Sequence, residues 1–186
     1  MSSAMDKSEQ QIRQHLGDFI PEDLGVSLNQ VNGISAFQLS DAAVTATVTL
    51  GYPCDSIRDV LIDAIHAHMA PVLEQRSLSV TMESRIVPHR AQSSLPARDQ
   101  VANIIAVASG KGGVGKSTSA VNLALALQAE GARVGLLDAD VFGPSQPLML
   151  GLPDGTRPQV LEGKFFVPVD AYGLQTMSMG YLTTKQ

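Results

Sequence analysis

A short run in the middle of the chain has the residue types of a phosphate-binding loop. Gly110 to Ser117, with the sequence GKGGVGKS, fits the pattern G-x-x-x-x-G-K-[ST] in full. Glycines leave the backbone N–H groups free to surround phosphate oxygens, because no side chain blocks their approach. A helix that follows the loop directs its positive end at the same anion. We therefore predict that Lys116 reaches the β and γ phosphates of a nucleotide and that Ser117 coordinates Mg²⁺ through its hydroxyl.

The predicted nucleotide-binding set extends one residue beyond the motif. A glycine turn without a ligand would not explain the run Lys116-Ser117-Thr118, so the ligand-binding interpretation is favoured. The predicted nucleotide-binding residues are Gly110, Lys111, Gly112, Gly113, Val114, Gly115, Lys116, Ser117 and Thr118.

Lys111 is a second lysine in a loop that needs only one for the β and γ phosphates. On the outer rim of the loop, we expect it to project away from its own nucleotide. It would then reach the nucleotide of a second subunit and stabilise charge there, in the manner of an arginine finger. The alternative is a solvated surface lysine, and the residues alone leave both interpretations open.

The next apolar segment, RVGLLDAD, ends in two carboxylates, Asp138 and Asp140. Carboxylates at the C-terminal edge of a parallel strand face the ligand crevice. Asp138 could hold the Mg²⁺ shell through a water, and Asp140 could position or activate the attacking water. The alternative for either one is a helix cap or a loop-stabilising aspartate. The predicted catalytic residues are Lys111, Lys116 and Asp140, and the predicted Mg²⁺ residues are Ser117 and Asp138.

The segments around the loop have the order strand, glycine loop, helix, strand. The run NIIAVA, 103–108, is continuously apolar, as in a parallel strand covered on both faces. Residues 116–130 are rich in Ala and Leu and predict a helix that ends at Gly131. With a second strand over 133–140, this order implies a right-handed parallel crossover.

The first part of the chain predicts a separate small α/β domain over 1–87. Periodicity predicts a helix over 6–16, strands over 34–40 and 44–50, a helix over 55–73 capped by Asp55 or Ser56, and a strand over 78–87. Residues 88–100 contain two prolines and paired serines and predict a linker. The fold class is therefore α/β, with a second domain over 101–186.

Composition narrows the classes of partner and compartment. The chain has 186 residues, a net charge of -5 and no run of Lys or Arg, which argues against nucleic acid as the main partner. No apolar run is long enough to span a bilayer and no signal-peptide pattern opens the chain, so we expect a cytoplasmic protein with no membrane partner. The single cysteine, Cys54, precedes a predicted helix, where a thiolate is favoured. The alternative for Cys54 is a small, partly buried apolar residue.

Two segments of the second domain resemble a known family. SGKGGVGKST followed by LLDADVFGPSQPLMLG resembles the Mrp (ApbC-like) iron–sulfur cluster carrier ATPases, in the deviant Walker A group of P-loop NTPases that includes MinD and ParA proteins. GLQTMSMGYL, 173–182, is similar to the strand that follows in this family, and residues 1–87 resemble a PaaD-like domain.

The resemblance implies a fold, cofactors and partners. It implies a P-loop NTPase parallel sheet with flanking helices, ATP and Mg²⁺ as cofactors, and a homodimer in which Lys111 reaches the partner's nucleotide. Lys116, Ser117 and Thr118 match the family's nucleotide and Mg²⁺ residues, and Asp138 and Asp140 match its Mg²⁺-shell and hydrolysis positions. It also implies a 4Fe–4S cluster held between subunits by a C-x-x-C pair and delivered to apo iron–sulfur proteins.

The sequence departs from the family at two points. The C-x-x-C pair and a later switch aspartate do not occur, so no iron–sulfur ligand is predicted in this chain. We expect a C-terminally truncated chain with an incomplete second domain and uncovered strand edges. Two alternatives stay open: a MinD/ParA-like positioning ATPase, and a non-catalytic nucleotide-sensing adaptor for iron–sulfur assembly.

Overall fold

The chain divides into two compact units. A computed structural model describes residues 2–89 and 100–182, with side chains from residue 7 onward. The units are Met1–His89 and Arg90–Gln186. The predicted linker at 88–100 lies, apart from its ends, outside the described residues. Within the described ranges, no helix is long and apolar enough to cross a membrane.

The first unit has the predicted order of helix, strand, strand, helix, strand. The elements are α1 Ser2–Gly17, β1 Ile34–Leu39, β2 Ala43–Leu50, α2 Arg58–Leu73 and β3 Ser77–Ser84. The sheet order is β1-β2-β3, with β1 antiparallel to β2 and β2 parallel to β3. The parallel pair is joined through α2, as a parallel connection requires.

Two local periodicities build the core of the first unit. Alternate residues of β2 are buried, and α2 buries every fourth residue. The buried set is Val44, Ala46, Val48 and Leu50 from β2, with Leu61, Ile65, Met69 and Leu73 from α2. The predicted cap of α2 is wrong. Asp55–Ile57 form a short 3-10 turn, α2 begins at Arg58, and the Asp55 carboxylate is paired with the Arg58 guanidinium instead of capping the helix.

The second unit contains a mixed sheet where the sequence predicts a parallel one. The elements are α3 Lys116–Ala129, β4 Gly135–Asp138, α4 Gln146–Met149, β5 Val160–Leu161, β6 Phe165–Phe166, β7 Val169–Ala171 and β8 Leu174–Ser178. The order is β4-β8-β7, with β4 parallel and β7 antiparallel to β8. Tyr172 and Gly173 both have positive φ and form a tight turn, and such a turn can only join antiparallel neighbours. The α/β class is confirmed, with this correction to the sheet.

The predicted strand at 103–108 is wrong. These residues form no ladder in the described part of the chain, and Ile104 and Ile105 are 65% and 63% exposed. An apolar run becomes a strand only when a neighbouring edge supplies ladder hydrogen bonds, and the three-stranded sheet described for this unit consists of β4, β8 and β7. The helix that follows the loop is confirmed. It ends at Ala129, and Gly131 follows with φ +90° in the left-handed conformation that glycine favours.

Candidate nucleotide-binding site

The predicted phosphate loop runs directly into α3. Gly113 and Gly115 have φ of +74° and +89°, a backbone region that favours glycine. Gly115 is the N-cap of α3, and no side chain caps the helix there. The first N–H groups of a helix have no acceptor within the helix, so those of α3 are available to an anion.

The remaining motif glycines leave open space. A Cβ placed on Gly110 or Gly112 would meet no heavy atom within 4 Å, and neither residue has a positive φ. The chain itself therefore does not require glycine at these two positions, whereas a phosphate approaching the backbone would. This cradle fits the predicted ligand.

A cavity of about 240 Å³ adjoins the loop. Its walls are formed by Lys111, Gly113, Val114, Gly115, Lys116, Ser117, Thr118 and Met149. The fold thus brings together all the predicted nucleotide-binding residues except Gly110 and Gly112. Lys111 forms part of the wall of its own chain's cavity, and its predicted reach into a second subunit stays a prediction.

Lys116, at the end of the predicted phosphate loop, forms an ion pair with Asp140, which follows β4. The Lys116 Nζ donates to Asp140 Oδ2 at 3.2 Å, and each side chain is about one-third exposed, 36% and 32%. The Gly143 N–H donates to Asp140 Oδ1 at 3.1 Å. Two hydrogen bonds lower the pKa of the Asp140 carboxyl below its ordinary value. The larger contribution comes from the Gly143 N–H and the next from Lys116. Asp140 therefore stays ionised and is a weak proton acceptor, so positioning a water suits it better than activating one by taking its proton.

Asp138 is a buried anchor at the C-terminal end of β4. It is 8% exposed, and its Oδ1 accepts the Asp140 N–H at 3.1 Å. Its Oδ2 accepts the Gln146 N–H at 3.2 Å and the Ser178 hydroxyl at 3.0 Å. The loop-stabilising interpretation of Asp138 is thus directly visible. A carboxylate accepts about four hydrogen bonds, so a place for a Mg²⁺-bound water also remains.

Sequence reasoning missed Ser178 and Gln146. Ser178 lies opposite Asp138 in the parallel register of β4 and β8. The strand predicted over 173–182 could have indicated it, because parallel neighbours end at the same edge of a sheet. Gln146 is 4% exposed and its Nε2 donates to the Ser117 carbonyl at 3.1 Å. Nothing in its sequence position indicates that contact.

The oxygen atoms at this site are suited to binding a hydrated Mg²⁺ ion. The Ser117 hydroxyl and the Asp138 carboxylate are oxygen ligands of the kind Mg²⁺ prefers. The buried Gln146 Oε1 has no hydrogen-bond partner in the described part of the chain. No group of three or more His, Cys, Asp or Glu side chains among the described residues could hold a metal ion. Mg²⁺ suits such a site because it commonly binds through one or two protein groups, waters and substrate phosphates.

Cys54 lies in the core of the first unit. It is 1% exposed, and its Sγ is 3.6 Å from the Ser84 hydroxyl. Burial raises the pKa of the nearby Tyr52 phenol, with smaller contributions from Cys54 and Asp23. The thiol is thus more deeply buried than the partly buried apolar residue that the sequence suggested.

Comparison with known proteins places the second unit in a family. Residues 100–186 match the family model described as ParA, NUBPL iron-transfer P-loop NTPase. An iron-sulfur cluster carrier protein of Pseudomonas fragi is 58% identical over 107 residues, 58% of this chain and 37% of that protein. An iron-sulfur cluster carrier protein of Salmonella typhimurium is 38% identical over 169 residues, 91% of this chain and 46% of that protein. The iron-sulfur cluster transfer protein NUBPL of Dictyostelium discoideum is 53% identical over 85 residues, 46% of this chain and 26% of that protein.

The chain spans less than half the length of each of these curated relatives. The Salmonella match extends over 91% of the chain and so reaches into the first unit. The resemblance to the iron–sulfur cluster carriers is confirmed by these matches. On the strength of the matched segment and the loop geometry within it, residues 100–186 belong to the ParA family of NUBPL iron-transfer P-loop NTPases.

Proposed function

We propose that the full-length protein is an ATP-dependent iron–sulfur cluster carrier, which binds and hydrolyses ATP with Mg²⁺ and transfers a 4Fe–4S cluster to apo iron–sulfur proteins. The observation that supports this most is the glycine cradle at the start of α3, in a segment that matches an iron-transfer NTPase family. The names of the relatives support cluster transfer. Cluster ligands would come from outside this sequence, which has one cysteine.

On nucleotide binding, a phosphate would replace Asp140 as the partner of Lys116. Its ammonium is paired with Asp140 at 3.2 Å, and a β or γ phosphate would compete for the same charge. The loop N–H groups and Lys116 would hold the phosphates, while the Ser117 hydroxyl and Asp138 would hold Mg²⁺. The bound Mg²⁺ would supply positive charge that offsets the negative charge of the phosphates during hydrolysis. Asp140, released from Lys116 and still ionised, would orient the attacking water.

Loss of the ion pair between Lys116 and Asp140 on nucleotide binding would also affect the segment that follows β4. Asp140 also accepts the Gly143 N–H, so a change in its position moves residues 140–143. Phe142 in this segment is fully exposed, and Leu148 in α4 is 81% exposed. These exposed apolar side chains, one in the segment that contains Asp140 and one next in sequence to the cavity residue Met149, support a homodimer that closes over the nucleotide, with Lys111 supplied to the partner's site. We propose that this dimer acts in the cytoplasm.

Complementation between two inactive variants tests the dimer and the two lysines together. In full-length protein, Lys116→Ala should weaken nucleotide binding by at least ten-fold, because it removes the cation at the phosphates. Lys111→Ala should keep binding and lose hydrolysis. If Lys111 acts across the interface, a mixture of the two variants contains one site with both lysines, and ATPase activity returns. If Lys111 acts within its own chain, no mixed site is complete and the mixture stays inactive.

Cluster transfer needs its own measurement. The full-length protein would be loaded with iron and sulfide without oxygen, and an apo 4Fe–4S protein would be the recipient. Transfer should depend on ATP in the wild type and lose this dependence in Lys116→Ala. Lys164→Ala is the matched control, since Lys164 lies over the Phe165 ring and does not line the cavity at the loop. Transfer that is equal in Lys116→Ala and wild type would refute the ATP-dependent carrier and favour a nucleotide-sensing adaptor.

A further inference from the structure

Gln146 links the two positions predicted to bind Mg²⁺. It is the first residue of α4, and its backbone N–H donates to Asp138 Oδ2 at 3.2 Å. Its side-chain Nε2 donates to the Ser117 carbonyl at 3.1 Å. One residue therefore contacts both the end of β4 and the first turn of α3.

The orientation of the Gln146 amide is fixed by its partner. The Ser117 backbone carbonyl can only accept, so the amide nitrogen must face it and the amide oxygen must point elsewhere. Gln146 is 96% buried, since 4% of it is exposed, and its Oε1 has no hydrogen-bond partner in the described part of the chain. A buried carbonyl oxygen is normally paired, so this oxygen needs a donor that the described residues do not provide.

The donor that best fits is a water attached to a cation. Mg²⁺ keeps several of its waters when it binds to protein and phosphate oxygens. Such waters are strong donors, and they need acceptors beyond the metal's direct ligands. Ser117 provides the predicted direct ligand, and Asp138 has one free acceptor place in the same neighbourhood.

We infer that Gln146 is a positioning residue for the metal, and that its Oε1 accepts a hydrogen bond from a Mg²⁺-bound water beside the one that Asp138 accepts. The inference rests on the proposed nucleotide and Mg²⁺ binding. It assigns Gln146 a role in metal affinity, separate from the phosphate contacts of Lys116 and the loop. It also connects the metal to α4, because Gln146 begins that helix.

A nucleotide-binding titration tests this role without measuring activity. Full-length protein would be titrated with a fluorescent ADP analogue, once with Mg²⁺ and once with EDTA, and the ratio of the two affinities gives the gain due to Mg²⁺. Gln146→Leu should lower this gain by about 10- to 100-fold, as loss of an outer-shell partner does. Its affinity in EDTA should stay within about two-fold of the wild type, because the loop and Lys116 are unchanged. Gln159→Leu, at an exposed glutamine, is the matched control.

Gln146→Glu separates the water contact from the bond to Ser117. Glutamate keeps an acceptor and loses the amide donor, so the gain due to Mg²⁺ should be largely retained. An equal loss in the Leu and Glu variants would overturn the inference, because the tie to the Ser117 carbonyl would then explain both. An unchanged gain in Gln146→Leu would also overturn it.

Folding and the proposed function are checked in the same experiment. If Gln146→Leu does not fold, Gln146→Met takes its place with the same expected loss, since methionine is flexible and of similar size. A wild type that binds the analogue but gains nothing from Mg²⁺ overturns the inference alone. A wild type that binds no nucleotide refutes the proposed function, and the inference with it.

Discussion

Replacing Asp138 by alanine should destabilise the second unit even without nucleotide. Its buried carboxylate accepts hydrogen bonds from the Asp140 N–H, the Gln146 N–H and the Ser178 hydroxyl. A hydrogen bond to a charged group contributes about 1.5–3 kcal/mol. Water can replace the carboxylate at the more exposed Asp140 N–H, so two bonds dominate. We expect Asp138→Ala to lower the free energy of unfolding by about 3–6 kcal/mol.

The assay is urea unfolding of the full-length protein without nucleotide, followed by far-UV circular dichroism. Asp138→Asn should cost less, about 1–2 kcal/mol, because the amide keeps one oxygen for two of the donors. Asp170→Ala is the matched control. Asp170 lies exposed on β7, and its replacement should change the free energy of unfolding by less than about 0.5 kcal/mol.

A double-mutant cycle tests whether Asp138 and Ser178 act as a pair. Ser178→Ala removes one donor to the carboxylate and also the acceptor of the Gly180 N–H, so only the part of its effect that passes through Asp138 should disappear in the Asp138→Ala background. A coupling energy of about 1–2 kcal/mol is expected. Strict additivity, or an Asp138→Ala variant as stable as the Asp170→Ala control, would refute the account of Asp138 as a buried anchor.

Three further changes probe the loop, the ion pair and the thiol. Gly115→Ala should lower the free energy of unfolding by about 1–2 kcal/mol, because the φ of Gly115 is +89°. Gly110→Ala should leave the free energy of unfolding unchanged and weaken nucleotide binding. Urea unfolding and a nucleotide titration of both variants measure these effects. The pKa of Asp140 is lowered by folding, so its ionised form contributes stability above about pH 4 that is lost as the pH falls through the lower folded value. Asp140→Asn should remove the contribution of this carboxylate to the loss of stability at acid pH, which urea unfolding at a series of pH values measures. An unchanged dependence of the free energy of unfolding on pH would show that folding does not stabilise the ionised carboxylate. Cys54 should react with a thiol reagent at least about 100-fold more slowly in native protein than in urea, and equal rates would contradict its burial.

The sequence by itself determined the features that depend on neighbouring residues. The phosphate loop was predictable because glycines, Lys116 and Ser117 stand at fixed short spacing. The burial of β2 and α2 followed from spacings of two and four residues, which the backbone geometry imposes directly.

Only the tertiary structure decided which strands and side chains meet. The apolar run at 103–108 carries the composition of a strand, yet it joins no sheet in the described part of the chain. Ser178 and Gln146 reach Asp138 from 40 and 8 positions away. Local propensity does not encode such contacts, because they form only when packing brings distant backbone and side-chain groups within hydrogen-bond distance.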